Sequence, residues 1–147
     1  MPDPNINRPA IRIAMCNFME DTEALGAFAR KHRFDGIDWS FDLGALAATP
    51  REQRRWVENI NRLSPLEIRY HCPFVQVDIG HQDASEQARA ADIFRDIIRL
   101  ISRAGGRYLT LHVGLGLETT RILSWDRTIE RLRDLVQFAA GFNVRLC

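Results

Sequence analysis

Two histidines follow apolar, strand-like segments at the point where each segment gives way to a loop. His71 lies in IRYHCPF, and His112 lies in the next such segment, YLTLHVG. Neutral imidazole is a good ligand for Zn, Mn or Co, and it also hydrogen-bonds substrates. A catalytic metal site normally adds carboxylates and keeps a position open for water or substrate. Two histidines alone therefore indicate an incomplete metal site, a pair of substrate contacts, or histidines that are simply hydrogen-bonded inside the fold.

The chain around these histidines alternates between strand-like and helix-like patterns. The predicted strands are IRIAMCN, FDGIDWSF, LEIRYHCPF, GRYLTLHVG and NVRLC, and amphipathic helices fill the segments between them. Thr49, Pro50 and Glu52 predict the N-cap, first residue and capping-box acid of the second helix, and Ser124 predicts the N-cap of the fourth. Gly105 ends the third helix. This order predicts right-handed βαβ units and a parallel sheet, either doubly wound or closed as a barrel.

Side-chain alternation favours the barrel. In the second strand Ile37 and Trp39 oppose Asp38, and the third and fourth strands alternate in the same way. An open doubly wound sheet is covered on both faces and should be apolar throughout, whereas a barrel has helices only on its outside. The alternation places His71 and His112 on the inward face, at the carboxyl ends of the strands, where barrels of this type carry their active sites.

The inward face also carries charge. Ala14, Cys16 and Cys147 extend it with small side chains, and four charged residues fall on it. We expect these four to form an interior charge cluster with internal pairing, because an isolated buried charge is costly. They are Arg12, Asp38, Arg69 and Arg145.

Composition limits the kinds of partner. The 147 residues, 46% of them hydrophobic, are enough for one globular domain. Twenty Lys+Arg oppose nineteen Asp+Glu, so net charge gives no reason to expect nucleic acid or an anionic membrane. The sequence has no long apolar run and no hydrophobic signal core, which predicts a cytoplasmic protein. Three widely spaced cysteines without a CxxC pair indicate reduced thiols.

The chain resembles the N-terminal part of the xylose isomerase-like TIM barrels over about residues 11–147. The resemblance is carried by FDGIDWS, RYHCPF, DASEQARAADIFRDIIRLISRAGGRYLTLHVG and NVRLC. Its most specific parts are His71 followed by Pro73, and the glycine–strand–His112–Gly114 segment. The family contains sugar and sugar-phosphate isomerases and epimerases and the type IV apurinic endonucleases. The resemblance implies that residues 1–10 are an N-terminal extension and that residues 11–147 are the N-terminal half of a TIM barrel.

The resemblance also implies roles for individual residues. His71 and His112 are similar to the histidines that end the third and fourth strands, which bind metal in endonuclease-like members and contact substrate in many isomerases and epimerases. Asp38 stands where members often carry Glu and is a candidate substrate contact. His81 is a further candidate contact, in a loop that is either a substrate cover or an ordinary solvated loop. Val113 stands where proline is common. The implied cofactor is a divalent metal (Mn, Zn, Co or Mg), and the implied substrate is a small sugar.

The family takes its principal carboxylate ligands from the end of the fifth strand and from strands six to eight. Cys147 stands just before the first of these positions, so the resemblance implies a truncated or fragmentary member that is inactive as this chain alone. A half barrel has open strand edges, which invite pairing with another chain. We therefore expect a homo-oligomer, either a dimer of half barrels or an exchanged dimer.

Three functions remain open at this point. The leading hypothesis is a metal-dependent sugar or sugar-phosphate isomerase or epimerase, which moves a proton next to a carbonyl. The second is an apurinic endonuclease-like DNA repair hydrolase, against which the near-neutral charge argues. The third is a non-catalytic oligomeric half barrel.

Overall fold

A five-stranded parallel sheet with helices between successive strands forms the fold. The computed structural model describes residues 12–73, 77–113 and 124–147. In chain order the elements are β1 (Ala14–Cys16), α1 (Thr22–Lys31), β2 (Gly36–Ser40), a short 3-10 helix (Leu43–Ala45), α2 (Pro50–Asn61), β3 (Glu67–His71), α3 (Ala84–Arg103), β4 (Tyr108–Thr110), α4 (Trp125–Gly141) and β5 (Arg145–Leu146). The predicted N-terminal extension, Phe74 and Gly114 lie outside the described residues.

The strands lie in the sheet in chain order, and each pairs in parallel with the next. In β2 and β3, Gly36 pairs with Glu67 and Ser40 pairs with His71. His71 in turn pairs with Thr110 of β4. This sequential order confirms the predicted βαβ units, and it differs from a doubly wound sheet, whose strand order reverses.

Local sequence signals set the beginnings of the helices. Thr49 and Glu52 form the predicted capping box of α2: the Glu52 N–H donates to Thr49 Oγ1 (3.3 Å), and the Thr49 N–H donates to Glu52 Oε2 (2.9 Å). The hydrogen bond from the Thr49 backbone is the main cause that holds the pKa of Glu52 below its ordinary value. Ser124 is the N-cap residue of α4, but its side chain makes no capping bond. Instead the buried Thr128 hydroxyl donates to the Ser124 carbonyl oxygen (2.8 Å).

Left-handed residues follow the helix ends. Gly105, at φ 73°, follows α3 as predicted, and the Gly106 N–H donates back to the Ile101 carbonyl oxygen (2.9 Å). At the end of α4 the left-handed residue is Asn143, at φ 57°, while Gly141 is the last helical residue. Asparagine tolerates this conformation better than most residues, so it ends the helix in place of glycine.

The hydrophobic core lies between one face of the sheet and the helices. Its strand residues include Ile37, Tyr70 and Leu109, which have the predicted outward parity. The helices contribute the largest part of the remaining core, and their buried members are Leu25, Ala29, Ile60, Ala90, Phe94, Ile97, Ile98, Leu100, Ile101, Leu135 and Ala139. Burial of this apolar surface is the main favourable contribution to folding.

The opposite face carries the charges, but their pairing differs from the prediction. Arg12 and Arg69 both bind Glu67, at 2.7 Å and 2.9 Å, and Arg69 is the main cause that lowers the pKa of that carboxyl. Arg69 and Arg145 also lie 5.4 Å and 5.9 Å from the centre of the Tyr108 ring. Asp38, which was predicted to belong to this cluster, instead hydrogen-bonds His71. Glu67 is the carboxylate that the sequence analysis missed.

We predict that Gly36 is essential for the β2–β3 pairing. A Cβ atom on Gly36 would lie 2.3 Å from the Glu67 carbonyl oxygen, which is backbone and cannot move aside. Gly36→Ala should therefore lower the free energy of unfolding by about 2–3 kcal/mol, as overpacked core positions do. Urea denaturation followed by circular dichroism measures this change.

Gly141→Ala is the matched control. A Cβ atom on Gly141 meets no atom within 4 Å, and the residue ends a helix without a left-handed φ. This substitution should raise the free energy of unfolding by about 0.5–1 kcal/mol. Equal urea midpoints for the two variants would contradict the role assigned to Gly36.

Candidate functional site

Asp38, in the middle of β2, and His71, the last residue of β3, meet on the inward face of the sheet. Asp38 Oδ2 lies 3.0 Å from His71 Nδ1, and both side chains are partly buried. A carboxylate beside Nδ1 favours the tautomer with the proton on that nitrogen, which directs the lone pair of Nε2 away from Asp38. The hydrogen bond with Asp38 thus fixes the orientation of the His71 ring.

His112 lies beside His71. The two ring centres are 5.1 Å apart, and the rings are parallel within 5°. His112 follows β4 by two residues, and its backbone N–H donates to Cys72 Sγ (3.3 Å). The structure therefore brings together three of the residues predicted for the site: Asp38, His71 and His112.

Cys72 supports this arrangement from the opposite face of the sheet. Its side chain is buried in the core, and burial raises the pKa of its thiol. A buried thiol with a raised pKa is a poor nucleophile. Strand alternation separates it from the His71 imidazole, so its role here is to accept the backbone N–H of His112.

An unpredicted residue, Asn17, stabilises the same end of the sheet. Its amide Nδ2 donates to the Ser40 carbonyl oxygen (3.0 Å), and its Oδ1 accepts from the Ser40 N–H (2.8 Å). These two bonds continue the pairing of β1 with β2 beyond Cys16, the last residue of β1. An asparagine directly after a strand was the available sequence signal.

His81, predicted to contact substrate, has hydrogen bonds within its own loop. Its ring Nδ1 accepts from the Asp83 backbone N–H (3.0 Å), and its own backbone N–H donates to the Asp78 carbonyl oxygen (3.2 Å). The loop follows β3 and precedes α3, so it belongs to the carboxyl-end side of the sheet. Contact between His81 and a substrate stays a prediction.

The described residues do not form a complete site for the implied divalent metal. Among residues 12–73, 77–113 and 124–147, no group of three or more His, Cys, Asp or Glu side chains is arranged to hold a metal ion. The two imidazoles supply part of a typical ligand set but not a whole one. In the same part of the chain, no helix is long and apolar enough to cross a membrane.

The fold and the histidine pair together define a (β/α) barrel unit with a polar site at the carboxyl ends of its strands. The family model of the xylose isomerase-like TIM barrel matches residues 27–147. The chain belongs to this family. A comparison with curated protein sequences finds no significant match.

Solved structures show the same fold. An L-ribulose 3-epimerase is 21% identical, with a TM-score of 0.69, over 92% of this chain and 48% of that one. A D-psicose 3-epimerase from Clostridium cellulolyticum H10, solved with D-tagatose, is 12% identical, with a TM-score of 0.72, over 93% and 51%. A Thermus thermophilus protein soaked with ZnCl2 is 19% identical, with a TM-score of 0.67, over 92% and 53%. The chain thus spans about half the length of the solved structures it matches, which confirms the predicted partial TIM barrel.

We predict that Asp38 sets the tautomer of His71. Loss of the carboxylate in Asp38→Ala should move the proton of neutral His71 from Nδ1 toward Nε2, the tautomer that free imidazole side chains prefer. Long-range ¹H–¹⁵N NMR at a pH where His71 is neutral measures the tautomer directly. His71→Ala assigns the signal.

Asp96→Ala is the control for this measurement. Asp96 is an exposed carboxylate on α3 that pairs with Arg99. Its removal should leave the His71 signal unchanged. A wild-type His71 that already carries its proton on Nε2 would refute the assigned role of Asp38.

Proposed function

We propose that His71 and His112 contact the sugar in a sugar or sugar-phosphate isomerase or epimerase site, and that Asp38 orients His71. The observation that carries this proposal is the Asp38–His71 hydrogen bond of 3.0 Å with His112 parallel at 5.1 Å. The barrel family places its active sites at this end of the strands. Membership in the xylose isomerase-like family supports a sugar as the substrate class.

In this proposal the two histidines recognise the sugar through hydrogen bonds. An imidazole nitrogen accepts a hydrogen bond from a sugar hydroxyl when neutral and donates one to a carbonyl or alkoxide oxygen when protonated. The two rings are parallel with their centres 5.1 Å apart, a spacing that suits contact with neighbouring oxygens of a small polyol. His81, in the loop after β3, is proposed as a further contact.

Proton transfer next to the carbonyl requires a base and an acid in reach of the carbon. The family resemblance implies that carboxylates of later strands serve as this base and this acid. Carboxylates of later strands are also the implied ligands of the divalent metal. No step is assigned to a metal here, because the described residues hold no group that binds one. We propose that this chain alone binds sugar without turning it over.

Sugar binding is tested by NMR of the histidine side chains. Titration of the purified chain with D-tagatose, D-fructose or L-ribulose should shift the Cε1–H signals of His71 and His112. His71→Ala and His112→Ala should each weaken binding by about fivefold, the effect of one net hydrogen bond of about 1 kcal/mol.

His32→Ala is the matched control for sugar binding. His32 is exposed at the end of α1, where its ring lies 4.2 Å from that of Phe28. Its signal should not respond to sugar, and its removal should not change affinity. Shifts confined to His32, or affinity unchanged in both site variants, would refute the proposed contacts. Turnover of any of these sugars by the chain alone would refute the proposal that it binds sugar without converting it.

We also propose that the chain self-associates through its open edges. Exposed apolar side chains lie at both sides of the described structure: Ile13 and Phe18 near β1, and Trp125, Ile129 and Val136 on α4. The inward face is a poorer contact surface for a second copy, because its guanidinium groups outnumber its carboxylates. Apolar edge contacts should persist at high salt.

Light scattering during size exclusion tests self-association. We expect a mass above the 16.9 kDa of one chain, at both low and high salt. Val136→Glu should reduce the associated fraction, since it places a charge on the apolar stripe of α4. Gln137→Glu adds the same charge at the next, also exposed, position and should have no effect. A monodisperse monomer of the wild-type chain would rule out self-association.

A further inference from the structure

Gln87 is a buried polar residue in the N-terminal part of α3. It is only 3% exposed, and its amide Nε2 donates to the Ile79 carbonyl oxygen (3.1 Å). That carbonyl belongs to the segment 77–83, which we call the β3–α3 loop. Burial of an amide is unfavourable unless its donors and acceptors are paired, so this bond indicates a specific structural task.

The other end of the Gln87 amide faces α4. Arg131 Nε lies 3.4 Å from Gln87 Oε1, as a long hydrogen bond. One turn earlier on α4, Arg127 Nη1 donates to the Gln82 carbonyl oxygen (3.2 Å). The β3–α3 loop is therefore bonded through two carbonyl oxygens, one to Gln87 itself and one to α4.

The loop between these two bonds is a compact unit. Val77 and Ile79 are buried, and Asp78 Oδ1 accepts from the Gly80 N–H (2.8 Å). His81 accepts from the Asp83 N–H (3.0 Å), and Asp83 caps α3 through its Oδ1. Because the loop is bonded internally, fixing it at Ile79 and Gln82 also fixes His81.

We infer that Gln87 is a positioning residue that holds the β3–α3 loop, and with it His81, in place at the carboxyl end of the sheet. Glutamine is suited to this position because it donates to Ile79 and accepts from Arg131 at the same time. Glutamate would keep the contact with Arg131 but lose the donor to Ile79. The assignment of the loop to the substrate side rests on the proposed function, whereas the bonds themselves do not.

Amide hydrogen exchange without any sugar tests the inference. In Gln87→Leu and Gln87→Glu, exchange at the Gly80, His81 and Asp83 amides should rise by about fivefold or more, because the loop opens locally. The ¹⁵N signal of His81 Nδ1 should move in both variants as its bond from the Asp83 N–H weakens. Exchange in β2, β3 and the core of α3 should stay near the wild-type value.

Gln87→Glu separates positioning from helix packing. If Gln87 only joined α3 to α4, the glutamate variant would keep its bond to Arg131 and would behave like the wild type, which would overturn the inference. Wild-type exchange of the loop in Gln87→Leu would overturn it as well. So would a rise that is equal throughout the chain.

Gln53→Leu is the matched control. Gln53 on α2 also donates from Nε2 to a carbonyl oxygen of the preceding loop, that of Ala47 (3.3 Å), and its Oε1 accepts from Arg103. Its substitution should leave exchange and the His81 signal of the β3–α3 loop unchanged. Because no sugar is present, failure here is distinguishable from failure of the proposed sugar contacts.

Discussion

The pairing of β2 with β3 determines where the candidate site lies. Its register begins where Gly36 lies against the Glu67 carbonyl oxygen, a contact too close for any side chain at Gly36. From that starting point the strands run in parallel, so Asp38 lies on the inward face in the middle of β2 while His71 ends β3. A slip of β3 by one residue would turn His71 to the helix-covered face and leave Asp38 on the inward face. The Asp38–His71 bond therefore depends on a backbone contact at the other end of the same strands.

The outward face of the sheet packs the core, and the inward face carries the candidate site. The outward face packs Ile37, Tyr70 and Leu109 against the helices, and this is where apolar surface is buried. The inward face holds polar groups at two levels: the Glu67 ion pairs near the strand beginnings and the histidines near the strand ends. Because the inward ion pairs are exposed, they contribute little to stability. The residues of these ion pairs can therefore vary with small effect on the core.

Much of this arrangement could be predicted from the sequence, because it follows from periodicity. Alternation in the strands indicated the correct face for Asp38, His71 and His112, and local capping signals indicated the start of α2. The misassignments concern which side chain reaches which partner. Asp38 pairs in register with Arg69, yet Arg69 binds Glu67 on its own strand, which leaves Asp38 to His71. Which partner a side chain binds depends on how far it reaches across the twisted sheet. The periodicity of the sequence predicts the face of a side chain but not its partner. Gln87 was missed for a related reason: glutamine on a helix is ordinarily exposed, so only its burial in the folded chain distinguishes it.

At the carboxyl end of the sheet, side-chain bonds add to the backbone pairing, which itself continues from Cys72 to Thr110 and from Leu111 to Cys147. Asn17 bonds Ser40 beyond the last residue of β1, and Cys72 Sγ accepts the His112 N–H beyond the end of β4. These side-chain bonds satisfy backbone groups of Ser40 and His112, and the His112 ring lies parallel to that of His71. The site thus lies where the regular sheet stops, and its geometry is set by residues that are not themselves reactive.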